Sequence, residues 1–155
     1  MMTDFPREEV QRALETFLDI RAKVEAKKLN WDALADLYTE DAVCIDSAWG
    51  RIVGREAIRK WMCDSMQGLE NWTFPIEWTM IDGNRVVIRS FNRLPGQRPD
   101  GTYYEAPLMH YLIYAGNGKF SFEEDLYNMA HVMELLAESG WIPGPEVKMP
   151  EKVVR

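Results

Sequence analysis

Residues 72–94 read WTFPIEWTMIDGNRVVIRSFNRL. Trp72, Phe74, Ile76, Trp78 and Met80 alternate there with Thr73, Glu77 and Thr79, the period of a half-buried strand. Asp82-Gly83 supplies a tight hairpin turn, and Arg85 to Leu94 forms the returning strand. The same pattern continues downstream. Pro95 to Gly101 is a polar hairpin loop, Thr102 to Tyr114 the next strand, Gly116-Asn117-Gly118 a turn, and Lys119 to Tyr127 a further strand.

Upstream of this run the period is helical. Val10, Ala13, Leu14, Phe17, Leu18 and Val24 share one face of a helix that opens at Pro6 with Glu8 and Glu9 and closes near Lys27 and Lys28. Asn30 is placed to cap a shorter helix with Trp31, Leu34, Leu37 and Tyr38 on one side. Ala42 to Ile45 reads as a short buried strand, and Arg51 to Val53 as another between Gly50 and Gly54. A third helix from Arg55 buries Ile58, Trp61, Met62 and Met66 and stops at Gly68. Asn128 can cap a last helix carrying Val132, Met133, Leu135 and Leu136, which ends at Gly140.

Helices, then a meander of long strands, then a terminal helix is an α+β order. Pro75 and Pro107 inside strands imply edges or bulges, which bend a sheet. The expected fold is a cone-shaped, curved antiparallel sheet wrapped around helices, an α+β barrel enclosing an apolar pocket. With 155 residues the chain suits one domain, expected over 1–140, followed by a Pro-containing C-terminal tail, 141–155, that lies over the surface or over a partner subunit.

Composition narrows the function. Six Trp, six Tyr, six Phe and nine Met can fill a core and also line a pocket for a flat, greasy molecule. The net charge of -7, with no Lys/Arg cluster, disfavours nucleic acid and anionic membranes as partners. Cys44 and Cys63 are expected to be buried thiols in a reducing compartment. The N-terminal MMTDFPREEV has neither the basic start nor the apolar run of a signal peptide, and no stretch approaches a membrane span, so the cytoplasm is the expected location.

Tyr38-Thr39-Glu40-Asp41-Ala42-Val43 followed by Gly54-Arg55-Glu56-Ala57-Ile58 resembles the entry of the nuclear-transport-factor-like, or SnoaL-like, superfamily. Asp82-Gly83-Asn84-Arg85-Val86-Val87 and Glu124-Asp125-Leu126-Tyr127-Asn128 are similar to later parts of that pattern. The superfamily includes ketosteroid isomerase, polyketide cyclases, limonene epoxide hydrolase and scytalone dehydratase, and the resemblance runs to about Trp141. By resemblance to the isomerase, Asp46 stands where the general base sits. Met109, in Ala106-Pro107-Leu108-Met109-His110, stands where the isomerase has a protonated acid, and the first helix holds no Tyr for its oxyanion hole. By resemblance to the epoxide hydrolase, Asp125 matches an acid and Asp46 an asparagine. Arg89-Ser90-Phe91 lacks that enzyme's second aspartate, and Cys44 replaces its tyrosine.

Each candidate has a plain structural alternative. Asp46 ends an apolar strand, where a carboxylate either caps a loop or faces the pocket and gains a raised pKa. Period two sets Glu123, Asp125 and Tyr127 on one face and Glu124 and Leu126 on the other; the acids can line the pocket or an exposed rim. Two inward carboxylates would repel, so that one keeps a proton. Arg89 either snorkels on the outer sheet face or holds Asp125 ionised. The family register turns Met109 inward and hence His110 outward, leaving His131 as a surface or packing residue. The expected catalytic set is therefore Asp46, Asp125, Arg89 and Tyr127, with Tyr127 as an oxyanion donor. Trp61, Met62, Trp78, Tyr103, Met109, Tyr111 and Glu123 are expected around the substrate.

Two distant histidines without a Cys/His/acid spacing, and no Gly-rich phosphate loop, lead us to expect neither metal nor organic cofactor. Leu108, Leu112 and Tyr114 are expected on an apolar outer face that pairs two copies into a homodimer. The expected function is acid/base isomerisation, cyclisation or dehydratase-type elimination on a small hydrophobic cyclic or aromatic molecule. The alternatives are an epoxide hydrolase and a non-catalytic ligand-binding or dimerisation module.

Overall fold

In the computed structural model, which describes residues 4–150, helix α1 spans Arg7–Glu25 and a short 3-10 helix spans Trp31–Leu37. Strands β1 (Tyr38–Asp46) and β2 (Gly50–Val53) lead into α2 (Arg55–Met66). Strands β3 (Ile76–Asp82), β4 (Arg85–Gln97), β5 (Tyr103–Gly116) and β6 (Lys119–Tyr127) follow, then α3 (Met129–Ser139). The expected N-terminal start and the last five residues of the expected tail, 151–155, lie partly or wholly outside the described residues.

The strands form one sheet in the order β2-β1-β6-β5-β4-β3. Every pair is antiparallel, as expected, except β1 with β6, which run parallel. The chain between β1 and β6 carries a helix and four strands, and no hairpin fixes their relative direction. Register shifts in the β3–β4, β4–β5 and β5–β6 pairs accompany the curvature, and the sheet remains open, with β2 and β3 at its edges. Pro107 sits one residue beyond the last β5–β6 partners, Leu108 and Tyr127.

Helix α1 starts after Pro6 with Glu8 and Glu9 in its first turn. It buries Val10, Leu14, Phe17 and Val24 against the concave face and carries Arg21 on that same stripe. Helix α3 is capped at both ends as its sequence requires: the Asn128 side chain accepts from the His131 N–H at 3.2 Å, and Gly140 closes it at φ 72. Asn30, by contrast, makes no side-chain cap bond. Beneath the sheet, Phe17, Ile58, Ile88, Leu112 and Phe120 form the main core; Trp72, Phe74, Leu94, Leu108, Val132 and Leu135 form a second cluster under α3. No helix among the described residues is long and apolar enough to cross a membrane.

The largest departure from the sequence reading is the phase of β5. Leu108, His110, Leu112 and Tyr114 point inward and are buried, while the alternate residues Met109 and Tyr111 lie on the outer face. Both sets are apolar, so alternation alone could not choose between them. In β3, Trp78 and Met80 are exposed, at 41% and 59%, whereas Trp72 and Phe74 before Pro75 are buried. The register shift between Ile76 and Trp78 breaks the single face that the sequence suggested. Cys44 is buried as expected, but Cys63 is exposed. The assigned phase has a direct test. Leu112→Ala should cost about 2–5 kcal/mol of stability and Met109→Ala well under half of that, as read from urea midpoints; equal costs would overturn it.

Candidate functional site

A cavity of about 420 Å³ opens between the concave sheet face, α2, α3 and the residues after Gly140. Its apolar lining includes Trp31, Trp49, Trp61, Met62, Trp72 and Met129. Its polar lining is concentrated on β1, β5 and β6: Asp46, His110, Glu123, Asp125 and Tyr127, with Arg21 reaching in from α1.

Strand pairing builds this polar group. Asp46 of β1 is the direct neighbour of Asp125 on β6, and Asp125 is in turn the partner of His110 on β5. Glu123 shares the inward face with Asp125 because they are two residues apart on one strand. His110 Nδ1 lies 2.5 Å from Asp125 Oδ1 and 3.3 Å from Glu123 Oε1. The Tyr38 hydroxyl donates to Glu123 Oε2. On its other edge, His110 Nε2 lies 3.2 Å from Ser90 Oγ and 3.4 Å from Arg21. A hydroxyl can donate to a neutral imidazole or accept from a charged one, so Ser90 serves His110 in both states. Arg21 also donates to the Phe74 carbonyl at 3.2 Å and lies 4.0 Å from the Glu25 carboxylate.

Two carboxylates on one histidine cannot both be ionised without cost. Burial, then the charge of Glu123, pushes Asp125 up to about 8. For His110, burial pulls downward, but the charge and hydrogen bond of Asp125 and the bond to Glu123 prevail and raise it to about 9. Burial also works against an ionised Glu123; the bond to His110 and its charge overcome this and hold Glu123 below the usual range. Near neutral pH His110 is then positive and Glu123 negative, and Asp125 holds a proton.

Asp46 is the second acid. Its Oδ1 accepts from the N–H of Ala48 and of Trp49, both at 2.8 Å, and from the Tyr127 hydroxyl at 2.9 Å. Burial raises its pKa, and these three bonds oppose the rise. All three fall on Oδ1, which leaves Oδ2 as the oxygen available to a ligand. Asp46 thus both caps the loop after β1 and lines the cavity. The Tyr127 hydroxyl, expected as an oxyanion donor, donates here to Asp46.

Of the residues singled out in the sequence, Asp46, Glu123, Asp125, Tyr127, Trp61 and Met62 meet in the cavity. Arg89 does not: it lies on the outer face, where it pairs with Glu77 at 3.1 Å. Trp78, Tyr103, Met109 and Tyr111 are also outside the cavity; Tyr103 stacks under Arg93, and Tyr111 packs on Phe122. His110 was expected to face outward and instead stands at the centre. Arg21 and Tyr38 were passed over as site residues. Arg21 had a readable signal, since it falls four residues after Phe17 and three before Val24 on the apolar stripe.

His110, Glu123 and Asp125 each offer one donor atom, all within 4.8 Å of one another. Search by sequence spacing cannot find such a set, because β5–β6 pairing creates it. The Arg21 guanidinium beside His110 and the Tyr38 hydroxyl on Glu123 already supply the positive charge and proton that a cation would displace.

Residues 14–120 match the model of the SnoaL-like domain, and the chain belongs to that family. Solved structures agree in fold. A candidate SnoaL-like polyketide cyclase from Jannaschia sp. superposes with a TM-score of 0.66 at 16% identity, over 88% of this chain and 98% of the other. A Catenulispora acidiphila protein with a ketosteroid isomerase-like fold, in complex with trimethylamine, gives 0.60 at 26% identity, over 82% and 97%. An epoxide hydrolase of limonene-epoxide-hydrolase-like type from M. tuberculosis gives 0.61 at 16%, over 84% and 91%. No curated protein matches the chain.

The coupled acids set a pH dependence. In the unfolded chain, Asp125 and His110 return to ordinary values of 3.8 and 6.5, below their folded values of about 8 and about 9. The folded state therefore binds more protons between these limits, and stability should fall as pH rises from about 6.5 to about 8. Denaturation midpoints across that window should slope downward, and Asp125→Asn should flatten the slope.

Proposed function

We propose that this protein is an acid/base enzyme that uses no organic cofactor and acts on a small hydrophobic, ring-bearing molecule by isomerisation, cyclisation or elimination. The observation that carries this reading is the presence of three inward carboxylates and one histidine in a cavity otherwise lined by aromatic and Met side chains. A plain binding module for a greasy ligand would gain nothing from burying them, since each buried charge is costly. The indole N–H groups of Trp61 and Trp72 are buried without a partner among the described residues and suit a ligand that carries oxygen acceptors.

In this scheme Asp46 is ionised and removes a proton from a carbon beside a carbonyl through Oδ2. The Asp125–His110 pair gives a proton to the oxygen on which charge develops. Asp46 then gives the first proton to another carbon while the enol oxygen returns its proton to the Asp125–His110 pair, which completes an isomerisation. If the substrate bears a hydroxyl beyond the new double bond, Asp46 instead gives its proton to that hydroxyl, which leaves as water as the enol oxygen returns its proton to the pair, and an elimination is complete. Both routes regenerate the starting charges. Free thiols at Cys44 and Cys63 accord with a cytoplasmic setting.

A homodimer is part of the same proposal, with the pairing face redrawn. Leu108, Leu112 and Tyr114 belong to the core, but the outer sheet face still presents Trp78, Met80 and Leu126, all more than two-fifths exposed. Sedimentation at micromolar concentration should find a dimer that Met80→Glu dissociates; a monomeric wild-type protein would refute it.

The catalytic reading is tested at Asp46. Asp46→Asn keeps the shape and should lower turnover of a cognate substrate by roughly 10² to 10⁴ while leaving binding comparable. Wild-type turnover in a folded variant would remove Asp46 from the mechanism. Binding without turnover of any tested ring ketone or ring alcohol, in either protein, would favour the binding module.

A further inference from the structure

We propose that residues 141–150 form a strap that closes the cavity and limits the size of molecule it admits; the inference rests on reading that cavity as the substrate site. Beyond Gly140 the chain does not leave the domain. Trp141 packs edge-on against Trp72, with ring centroids 5.4 Å apart. The Val147 N–H donates to the Gly144 carbonyl at 3.2 Å, which turns the chain. Lys148 Nζ then reaches Asp64 of α2 at 2.6 Å, where Lys60 also binds. Pro143 and Val147 between these anchors, and Lys148, Met149 and Pro150 at and just beyond the second, line the cavity. They form a wall distinct from the β1, β5 and β6 wall that carries the acids.

The crossing point is built for close approach. Gly68, just after α2, has φ +85, and a Cβ there would lie 2.5 Å from Val147 Cγ2 and 3.1 Å from Glu146 Cγ. A side chain at 68 would have to displace the strap. The attachment is also light. Among the described residues, the part of the segment beyond Trp141 is tied to the domain by the Lys148–Asp64 ion pair, half exposed on the Lys148 side, and Ile142 is 83% exposed. A segment so held opens locally without unfolding the sheet beneath it. Trp141 acts as the fixed end and Lys148–Asp64 as the latch.

The test uses neutral probes, 2-naphthol and its 6-alkyl derivatives of increasing length, followed by quenching of Trp fluorescence in stopped flow. Three chains are compared: wild type, Lys148→Ala, and the chain ended after Gly144. In wild type, affinity should fall by about tenfold or more beyond a limiting alkyl length. Both variants should move that limit to longer chains and raise the association rate about threefold to tenfold. Added salt should speed association with wild type, because it screens the latch, and should not do so for Lys148→Ala. An unchanged length limit and unchanged rates in both variants would overturn the strap. Failure of every probe to bind any of the three chains would overturn the strap together with the cavity reading. The readout is binding alone, so an absence of turnover, which bears on the proposed reaction, leaves this result standing.

Discussion

His110 on β5 and Asp125 on β6 face each other across the sheet with 2.5 Å between Nδ1 and Oδ1, beneath the helices and away from solvent. Burying such a pair beside a further carboxylate and a guanidinium is expensive unless every member finds a partner. Much of the surrounding structure supplies those partners. Tyr38, at the start of β1, donates to Glu123; Ser90 from β4 meets the far edge of His110; Arg21 from α1 adds positive charge and is itself tied to the Phe74 carbonyl and Glu25. Three elements besides the β5–β6 pair, β1, β4 and α1, thus converge on one polar cluster. A one-residue slip of β5 would bury Met109 and Tyr111 and turn His110 out to solvent, leaving Glu123 and Asp125 uncompensated. The cluster fixes the register as firmly as the hydrophobic core does.

The same register explains why Asp46 belongs to the site. Parallel pairing of β1 with β6 sets Asp46 beside Asp125 at the end of β1. There the loop 47–49 folds back so that two backbone N–H groups meet Oδ1. Ser47 stitches this loop to β6, donating to the Asp125 carbonyl at 2.9 Å and accepting from the Tyr127 N–H at 3.1 Å. The β1 end, its loop and the β6 end therefore form one hydrogen-bonded block, and neither carboxylate can move independently of the other's backbone.

The overall architecture was legible because its signals are local: Asp82-Gly83 for a hairpin, Asn128 and Gly140 for the ends of a helix, and the stripe from Val10 to Val24. The inward set on β6 was legible too, because Glu123, Asp125 and Tyr127 are separated by two residues each. Where the reading failed, both faces of a strand were equally apolar. Leu108 and Leu112 compete with Met109 and Tyr111, and only tertiary packing decides between them. That single error of phase displaced His110 from the site and placed Met109 and Tyr111 in it. Arg89 was misplaced for a related reason: its partner Glu77 lies on the neighbouring strand, and nothing in the sequence states that pairing. A histidine amid apolar residues also carries no sign of its partners until β5 and β6 are aligned.

The two acids do not do the same work, and their surroundings say which does what. Both are buried, so desolvation raises both. Beyond that their environments oppose each other. Asp46 receives two backbone donors and a phenol on one oxygen, all of which favour the anion. Asp125 has the negative Glu123 beside it on the same face of the same strand, which favours the acid. Pairs of titratable groups driven apart in this way are how one site holds an acid and a base at a single pH. In the proposed reaction Asp46 is accordingly the base and Asp125 the acid, with His110 as the group through which the acid's proton is shared. An exchange of Glu123 for a neutral residue would lessen the asymmetry while leaving both acids in place, so the proposed division of labour draws in part on a residue that need never touch the substrate.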